Sequence, residues 1–156
     1  MIRLEVRANQ FEAELTRVQK SLRQLRPFFA GEATLIAYDE LRQVFLSQGY
    51  GSWPPLSARY ASYKRRVRPG KSLLRFNDVY FRAATTRYAQ GSDYQVSQRG
   101  LRVGVDPLEF RGGYPALHEI GSGRLPARPV FSLAAPRVEA RISEAFGGYV
   151  FRRIRR

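Results

Sequence analysis

The sequence has no cysteine and only one histidine, His118. Without cysteine, disulfide bonds, thiol chemistry and cysteine-ligated zinc are all excluded. A metal site would then depend almost wholly on carboxylates, and the 13 acidic residues are scattered along the chain without a close cluster. We therefore expect this protein to hold no metal and no other cofactor.

Long apolar runs are missing as well. No run approaches the roughly 18 residues that a membrane-spanning helix requires. The N-terminal residues 1–7 alternate charged and aliphatic side chains and lack the apolar centre of a signal peptide. We expect a protein that is made and kept in the cytoplasm of its cell, with no membrane partner.

Acidic residues are few beside the basic ones, 13 against 27, which gives a formal net charge of +14. Arginine accounts for 24 of the basic residues, and its planar guanidinium suits contacts with carboxylate or phosphate. One interpretation is an interface with nucleic acid or with acidic protein neighbours. The other is a GC-rich genome, whose codons favour arginine, together with a solvated surface. The charge bears on association and does not indicate the fold.

The length of 156 residues fits one domain that spans residues 1–156. Apolar and charged residues alternate over residues 2–7, which predicts a half-buried strand. Apolar residues then recur at intervals of three and four over residues 11–25, which predicts a helix that Pro27 ends. A second helix is predicted over residues 29–48, and the two helices are expected to form a hairpin.

The rest of the chain predicts helices and a small sheet. Ser57 is placed to cap a short helix, and another helix is predicted over residues 73–88. Residues 94–105 alternate in polarity on both sides of an Arg-Gly turn, which predicts a β-hairpin. A last helix is predicted over residues 136–146.

Two glycines at 147–148 are expected to break this last helix, and residues 149–151 to add a terminal strand before the basic tail at 152–156. We therefore predict an α+β fold, in which an N-terminal helical hairpin and further helices pack on a small antiparallel β-sheet.

Three short motifs resemble catalytic sites but lack the spacing that the chemistry needs. Residues 70–72, Gly-Lys-Ser, end like a phosphate-binding loop, but Arg65 stands where that motif needs a glycine. Residues 118–119, His-Glu, begin like a zinc protease helix, but Ser122 replaces the second histidine. Residues 121–123, Gly-Ser-Gly, lack the spacing of a nucleophile elbow. We therefore expect no enzymatic activity.

Three blocks of residues carry a resemblance to a known family. Residues 53–57, Trp-Pro-Pro-Leu-Ser, with Tyr60 and the basic residues 64–66, are similar to a "W-x-P-L-x … T … K" pattern. Residues 71–74, Lys-Ser-Leu-Leu, stand where the family has "K-x-L-x-x-T-G-x-L", although Phe-Asn at 76–77 replaces its Thr-Gly.

The third block is the most specific. Residues 114–121, Tyr-Pro-Ala-Leu-His-Glu-Ile-Gly, are similar to "Y-A-x-x-H-x-x-G", with proline in place of the first alanine. Residues 125–131, Leu-Pro-Ala-Arg-Pro-Val-Phe, are similar to "I-P-A-R-P-F-L". In the order and spacing of these blocks the chain resembles the phage virion morphogenesis family, the tail-completion and neck proteins of Mu-like and P2-like tailed phages.

This resemblance implies a structural virion protein of the neck, the head-to-tail joint or a tail-completion or terminator ring, made in the host cytoplasm. It implies a ring of copies of this chain, with portal-side or tail-tube proteins as neighbours and packaged DNA as a further contact. A closed ring requires each subunit to offer two different faces. The candidate interface residues are Trp53, Leu56, His118, Arg128 and Phe131.

Arg128 stands between two prolines, Pro126 and Pro129, which keep the backbone extended. We expect its guanidinium to reach a neighbouring subunit, or else to pair with Glu119 or another carboxylate of its own chain. His118 is expected to be a packing or interface residue.

The alternative function is a basic nucleic-acid-binding module. Residues 64–71 form the densest basic run and are expected either to follow a phosphate backbone or to be a solvated loop. The candidate contacts with nucleic acid or an acidic partner are Lys64, Arg65, Arg66, Arg68, Lys71, Arg152, Arg153, Arg155 and Arg156.

Overall fold

The computed structural model of the protein describes residues 16–20, 22–123 and 125–154. The strand predicted over residues 2–7 and the first turn of the helix predicted over residues 11–25 lie outside the described residues. The later part of that helix is confirmed, since residues 16–20 and 22–23 are helical.

A long helix, α1, follows in three consecutive segments: an α-helical turn Arg26–Phe28, a π-helical turn Phe29–Ala33 and an α-helix Thr34–Leu46. Pro27 lies in the first turn, where a missing N–H costs no helical hydrogen bond. At the other end, the N–H of Gly49 donates to the carbonyl of Val44 at 2.8 Å. The predicted second helix is thus confirmed, with its start moved to residue 26.

Two shorter helices come next. Helix α2 spans Ala58–Val67, and the Ser57 hydroxyl accepts from the Tyr60 N–H, so the predicted cap is confirmed. Helix α3 spans only Val79–Thr85. The prediction of a helix over residues 73–88 is wrong at both ends, because the residues before α3 include left-handed backbone at Leu74 and Asp78, which no helix accommodates.

The predicted β-hairpin is confirmed. Strands β1, Ser92–Val96, and β2, Leu101–Val105, pair antiparallel, with Tyr94 opposite Val103 in the register. These two strands form the whole sheet in the part of the chain that the structure describes. Two short 3-10 turns then lead to helix α4, Tyr114–Ile120.

The last helix, α5, spans Phe131–Ile154 without interruption. The predicted helix start at residue 136, the break at residues 147–148 and the strand at residues 149–151 are therefore wrong. Pro136 is inside α5, where it removes one helical hydrogen bond. Two glycines inside a helix cost roughly 1 kcal/mol each, a penalty that side-chain packing can offset.

Such packing is found where α5 meets the start of α1. The ring of Phe28 is in contact with Phe146 at 5.4 Å and with Tyr149 at 5.0 Å between ring centroids. Phe146 and Tyr149 lie on either side of the two glycines, so tertiary contacts stabilise the helix across the position where its own sequence is weakest.

The core lies where α1 packs against α3 and α5, and α3 also contacts the hairpin. Its buried members are largely aromatic and aliphatic: Tyr38, Leu41, Val44, Phe45, Trp53, Leu73, Tyr80, Ala83, Ala84, Phe110, Val130 and Ala134. The architecture is therefore α+β, with helices packed on a small antiparallel sheet.

No helix in the described part of the chain combines the length and the apolar character that crossing a membrane requires.

Candidate functional site

Two segments of the chain hold each other through side-chain hydrogen bonds; we call them the Trp53 segment, residues 53–57, and the Arg128 segment, residues 125–131. The indole N–H of Trp53 donates to the carbonyl of Pro129 at 2.9 Å. In return, Nε and Nη2 of Arg128 donate to the carbonyls of Pro54 and Pro55, each at 2.9 Å. We call these three hydrogen bonds the clamp.

The clamp satisfies backbone groups that neither segment can pair by itself. Residues 53–57 and 125–130 lie outside the helices and the β1–β2 sheet, so their carbonyls need partners from elsewhere in the protein. Trp53 is 6% exposed and Arg128 is 3% exposed. Both side chains are therefore internal.

Trp53 is therefore not offered to a partner at the surface, because its side chain packs inside its own chain. Arg128 is also engaged by its own chain but lines a cavity, so its contact with a partner stays a prediction. The alternative pairing of Arg128 with Glu119 is wrong. Among the described residues, no carboxylate forms a salt bridge with the guanidinium, which binds backbone carbonyls instead. Arg128 suits this role because its fork spans two successive carbonyls, which a lysine ammonium does less well.

Glu119 has a different function, which the sequence did not indicate. Its Oε1 accepts from the backbone N–H groups of Val130 at 2.6 Å and Phe131 at 2.9 Å. Its Oε2 accepts from the backbone N–H of Ser132 at 3.4 Å and from the hydroxyl of the same residue at 2.9 Å. Glu119 therefore caps the N-terminus of α5, where N–H groups lack helical partners and a negative charge is favourable.

A cavity of about 660 Å³ lies beside the clamp. Helix α2 and the residues before it form one wall, residues 74–77 a second, and α4 with the Arg128 segment a third. It is lined by Pro55, Leu56, Ser57, Tyr60, Lys64, Leu74, Phe76, Asn77, Tyr114, His118, Leu125, Pro126 and Arg128. The lining has three basic side chains and no carboxylate among the described residues.

Lys64 is one of these basic groups and is 5% exposed. Its ammonium donates to the backbone carbonyl of Ser72. Burial lowers the pKa of Lys64, the nearby Arg128 charge lowers it further, and Asp78 opposes both. Lys64 is therefore not an exposed cation of the basic run, and its contact with nucleic acid or an acidic partner stays a prediction.

His118 is half-buried on α4 and also lines the cavity. Its Nδ1 is buried and has no hydrogen-bond partner among the described residues. Burial lowers the pKa of His118, the Arg128 guanidinium lowers it further, and Glu119 opposes both. The ring packs edge-on against Tyr114 with centroids 6.2 Å apart, and the interface role of His118 stays a prediction.

The remaining basic residues of the run at 64–71 differ in their surroundings. Arg65 and Arg66 are exposed on α2, so the predicted solvated loop is wrong for the first half of the run. The Arg68 guanidinium lies 5.3 Å from the centroid of the Phe76 ring. Lys71 forms an ion pair with Asp78 and is not a free cation.

The other candidate residues are divided between the core margin and the C-terminus. Leu56 and Phe131 are half-buried and pack against the core. Arg152 forms an ion pair with Glu32 at 2.5 Å, and the Arg153 guanidinium lies 5.0 Å from the centroid of the Tyr149 ring. Residues 155–156, both arginine, lie outside the described residues.

Two tyrosines that the sequence places on a short helix, beside the basic run, form an aromatic surface on α2. Tyr60 and Tyr63 are each 44% exposed, with ring centroids 6.0 Å apart. Tyr63 also stacks on Phe76 at 6.4 Å. Their spacing of three residues on a predicted helix was the available signal, since side chains three apart share one helix face.

No His, Asp or Glu side chains in the described part of the chain group in threes as a metal ion would require. No family model, no curated protein and no solved structure matches this chain significantly.

Proposed function

We propose that this protein is a structural component of a tailed-phage virion, located in the neck or in a tail-completion ring. The proposal rests on the resemblance of the Trp53 segment and of residues 114–131 to the virion morphogenesis pattern. The observation that carries it is the clamp, in which Trp53 and Arg128, the most distinctive residues of two of these blocks, each donate to backbone carbonyls of the other block.

The clamp gives a physical reason for the tryptophan and the arginine in the two sequence blocks. Residues of an active site converge on a substrate, whereas these residues converge on each other and on carbonyls of their own chain. A pattern of this kind specifies a rigid junction between two segments. Rigid subunits suit a ring, in which every copy repeats the same contacts.

The test is assembly. We expect the purified protein to form larger species as its concentration rises, measured by light scattering on a size-exclusion column, and its deletion to leave phage heads without functional tails in electron micrographs. Monomers at every concentration, together with normal virions after the deletion, would contradict the proposal.

A second candidate function, nucleic-acid binding, is favoured by the exposed face of α2. This helix contains no acidic residue. Among the described residues, Arg59 and Arg66 form no ion pair, and both lie beside Tyr60 and Tyr63 in a shallow depression. Unpaired arginines attract phosphate, and exposed aromatic rings stack on bases.

Binding to a single-stranded oligonucleotide tests this candidate by fluorescence anisotropy over a range of salt concentrations. The double variant Tyr60→Ala, Tyr63→Ala is expected to weaken binding about tenfold or more, since a stacked base contributes about 1–3 kcal/mol. Tyr88→Ala, at another exposed tyrosine, is the matched control. Equal affinity of the two variants would rule out α2 as the contact.

A further inference from the structure

The cavity beside the clamp has the size and lining of a binding site. Its volume of about 660 Å³ lies within the range of roughly 300–1,000 Å³ that small-ligand sites occupy. Apolar walls from Leu56, Leu74, Phe76 and Leu125 surround a few polar groups, which is the usual composition of such sites.

The charge of the lining is one-sided. Lys64 and Arg128 are almost fully buried, and the Nδ1 atom of His118 has no hydrogen-bond partner in the part of the chain that the structure describes. Burying a cation without a directly bonded carboxylate costs free energy. Here backbone carbonyls offset part of that cost, and Asp78, outside the lining, also favours the charge on Lys64. An anion in the cavity would remove the imbalance.

Both cations keep unused hydrogen-bond donors. Lys64 has three N–H donors and contacts only the Ser72 carbonyl in the described part of the chain. Arg128 has five N–H donors, and its two hydrogen bonds to Pro54 and Pro55 engage Nε and Nη2. Nη1 therefore carries donors that the clamp does not use.

We propose that this cavity binds a carboxylate, carried by a glutamate or aspartate side chain of a partner protein whose neighbouring apolar side chain packs against the apolar walls. A monovalent carboxylate fits better than a phosphate dianion, because the carbonyls of residues 54, 55 and 72 already neutralise part of the positive charge. The site does not depend on the virion role and holds for any partner with this acidic and apolar sequence.

The probe is the blocked dipeptide N-acetyl-Glu-Phe-amide, and its matched control is N-acetyl-Gln-Phe-amide. Titration of the ¹⁵N-labelled protein is followed by chemical-shift changes. We expect the glutamate probe to bind about tenfold or more tightly than the glutamine probe, since hydrogen bonds to an ionised acceptor are about twice as strong as neutral ones. The shifts are expected at Ser57, Asn77 and Leu125.

Asn77→Asp is the sharpest variant, because Asn77 is exposed at the cavity. The substitution keeps the side-chain oxygen that accepts from the Val79 N–H at 3.3 Å and adds one negative charge. The substitution is expected to lower the affinity for the glutamate probe about fivefold, and by less at high salt. The affinity for the glutamine probe is expected to stay the same. Gln95→Asp, exposed on β1, controls for net charge.

Lys64→Met removes the cation and keeps the aliphatic stem, and is expected to abolish the preference for glutamate. If the Lys64→Met variant does not fold, the effect of Asn77→Asp on binding of the two probes decides the test by itself. Equal binding of the two probes, or equal effects of Asn77→Asp and Gln95→Asp, would overturn the proposal. A short oligothymidylate is tested in the same way. If it binds more tightly than the glutamate probe and loses affinity in Asn77→Asp, the ligand of the cavity is a nucleic-acid phosphate and not a carboxylate.

Discussion

Replacing Glu119 by glutamine separates its role as a helix cap from its packing, because the two side chains have the same shape. Glutamine keeps one acceptor oxygen and replaces the other by an NH₂ group, which cannot accept. Either the pair of backbone N–H groups from Val130 and Phe131 or the two groups of Ser132 then loses its acceptor. The charge at the N-terminus of α5 is lost as well.

The expected cost follows from these two losses. A hydrogen bond to a charged group contributes about 1.5–3 kcal/mol, and a negative charge at a helix N-terminus about 0.3–1 kcal/mol. Because the capping groups keep partial access to water, we expect the free energy of unfolding to fall by about 2–3 kcal/mol. In a chain of this length that corresponds to a fall of about 5–10 °C in melting temperature.

Urea denaturation at pH 7 measures the change, with Glu139→Gln as the matched control. Glu139 is a solvent-exposed residue in the middle of the same helix, away from its ends. Its replacement is therefore expected to change the free energy of unfolding by less than about 0.5 kcal/mol. Faster amide hydrogen exchange at Val130 and Phe131 is expected in Glu119→Gln only. If the two variants were equally stable, Glu119 would not be the cap of α5.

Three other experiments, one of them with a matched control variant, test the junction and its surroundings. Arg128→Met removes two hydrogen bonds of the clamp together with a buried cation, and is expected to cost about 2–4 kcal/mol in the same urea assay; a neutral result would show that the clamp adds nothing to stability. A Cβ at Gly49 would overlap the indole of Trp53, so Gly49→Ala is expected to destabilise the protein by several kcal/mol and to shift the tryptophan fluorescence. Gly51→Ala, also at positive φ but with open space around it, is expected to cost only about 1–2 kcal/mol, and equal losses in the two alanine variants would contradict the overlap. Hydrogen bonds from the flanking arginine and lysine lower the pKa of Asp78 against the opposing effect of burial, so its carboxylate stabilises the fold at neutral pH and stops doing so as the pH falls from about 4 through the lowered pKa. Asp78→Asn is therefore expected to cost about 1 kcal/mol at pH 7 and nothing once the carboxylate is protonated in both states, and a cost that did not depend on pH would refute this origin.

Sequence patterns correctly predicted the secondary-structure elements that are specified by their own residues. The hairpin followed from alternation on both sides of a turn, and the cap at Ser57 from a hydroxyl residue before a helical pattern. The predicted helix over residues 29–48 succeeded for the same reason, since its apolar face repeats within the helix itself.

Predictions failed where distant contacts outweigh local preference. Gly147 and Gly148 predict a break, yet the aromatic contacts of Phe146 and Tyr149 with Phe28 lie across that position in α5. By contrast, residues 73–78 look helical, and the failure there is a local one, because Leu74 and Asp78 have left-handed backbone that their residue types do not indicate.

The sequence by itself determined the α+β class and the hairpin, because periodicity is a property of neighbouring residues. Only the tertiary structure decided what the side chains of residues 114–132 contact. Glu119 caps a helix that begins 12 residues later, and Arg128 binds the carbonyls of residues 54 and 55. The folded path of the backbone decides which groups such side chains meet. The residue type alone does not, because the direction of a side chain depends on where its helix or loop lies in the fold.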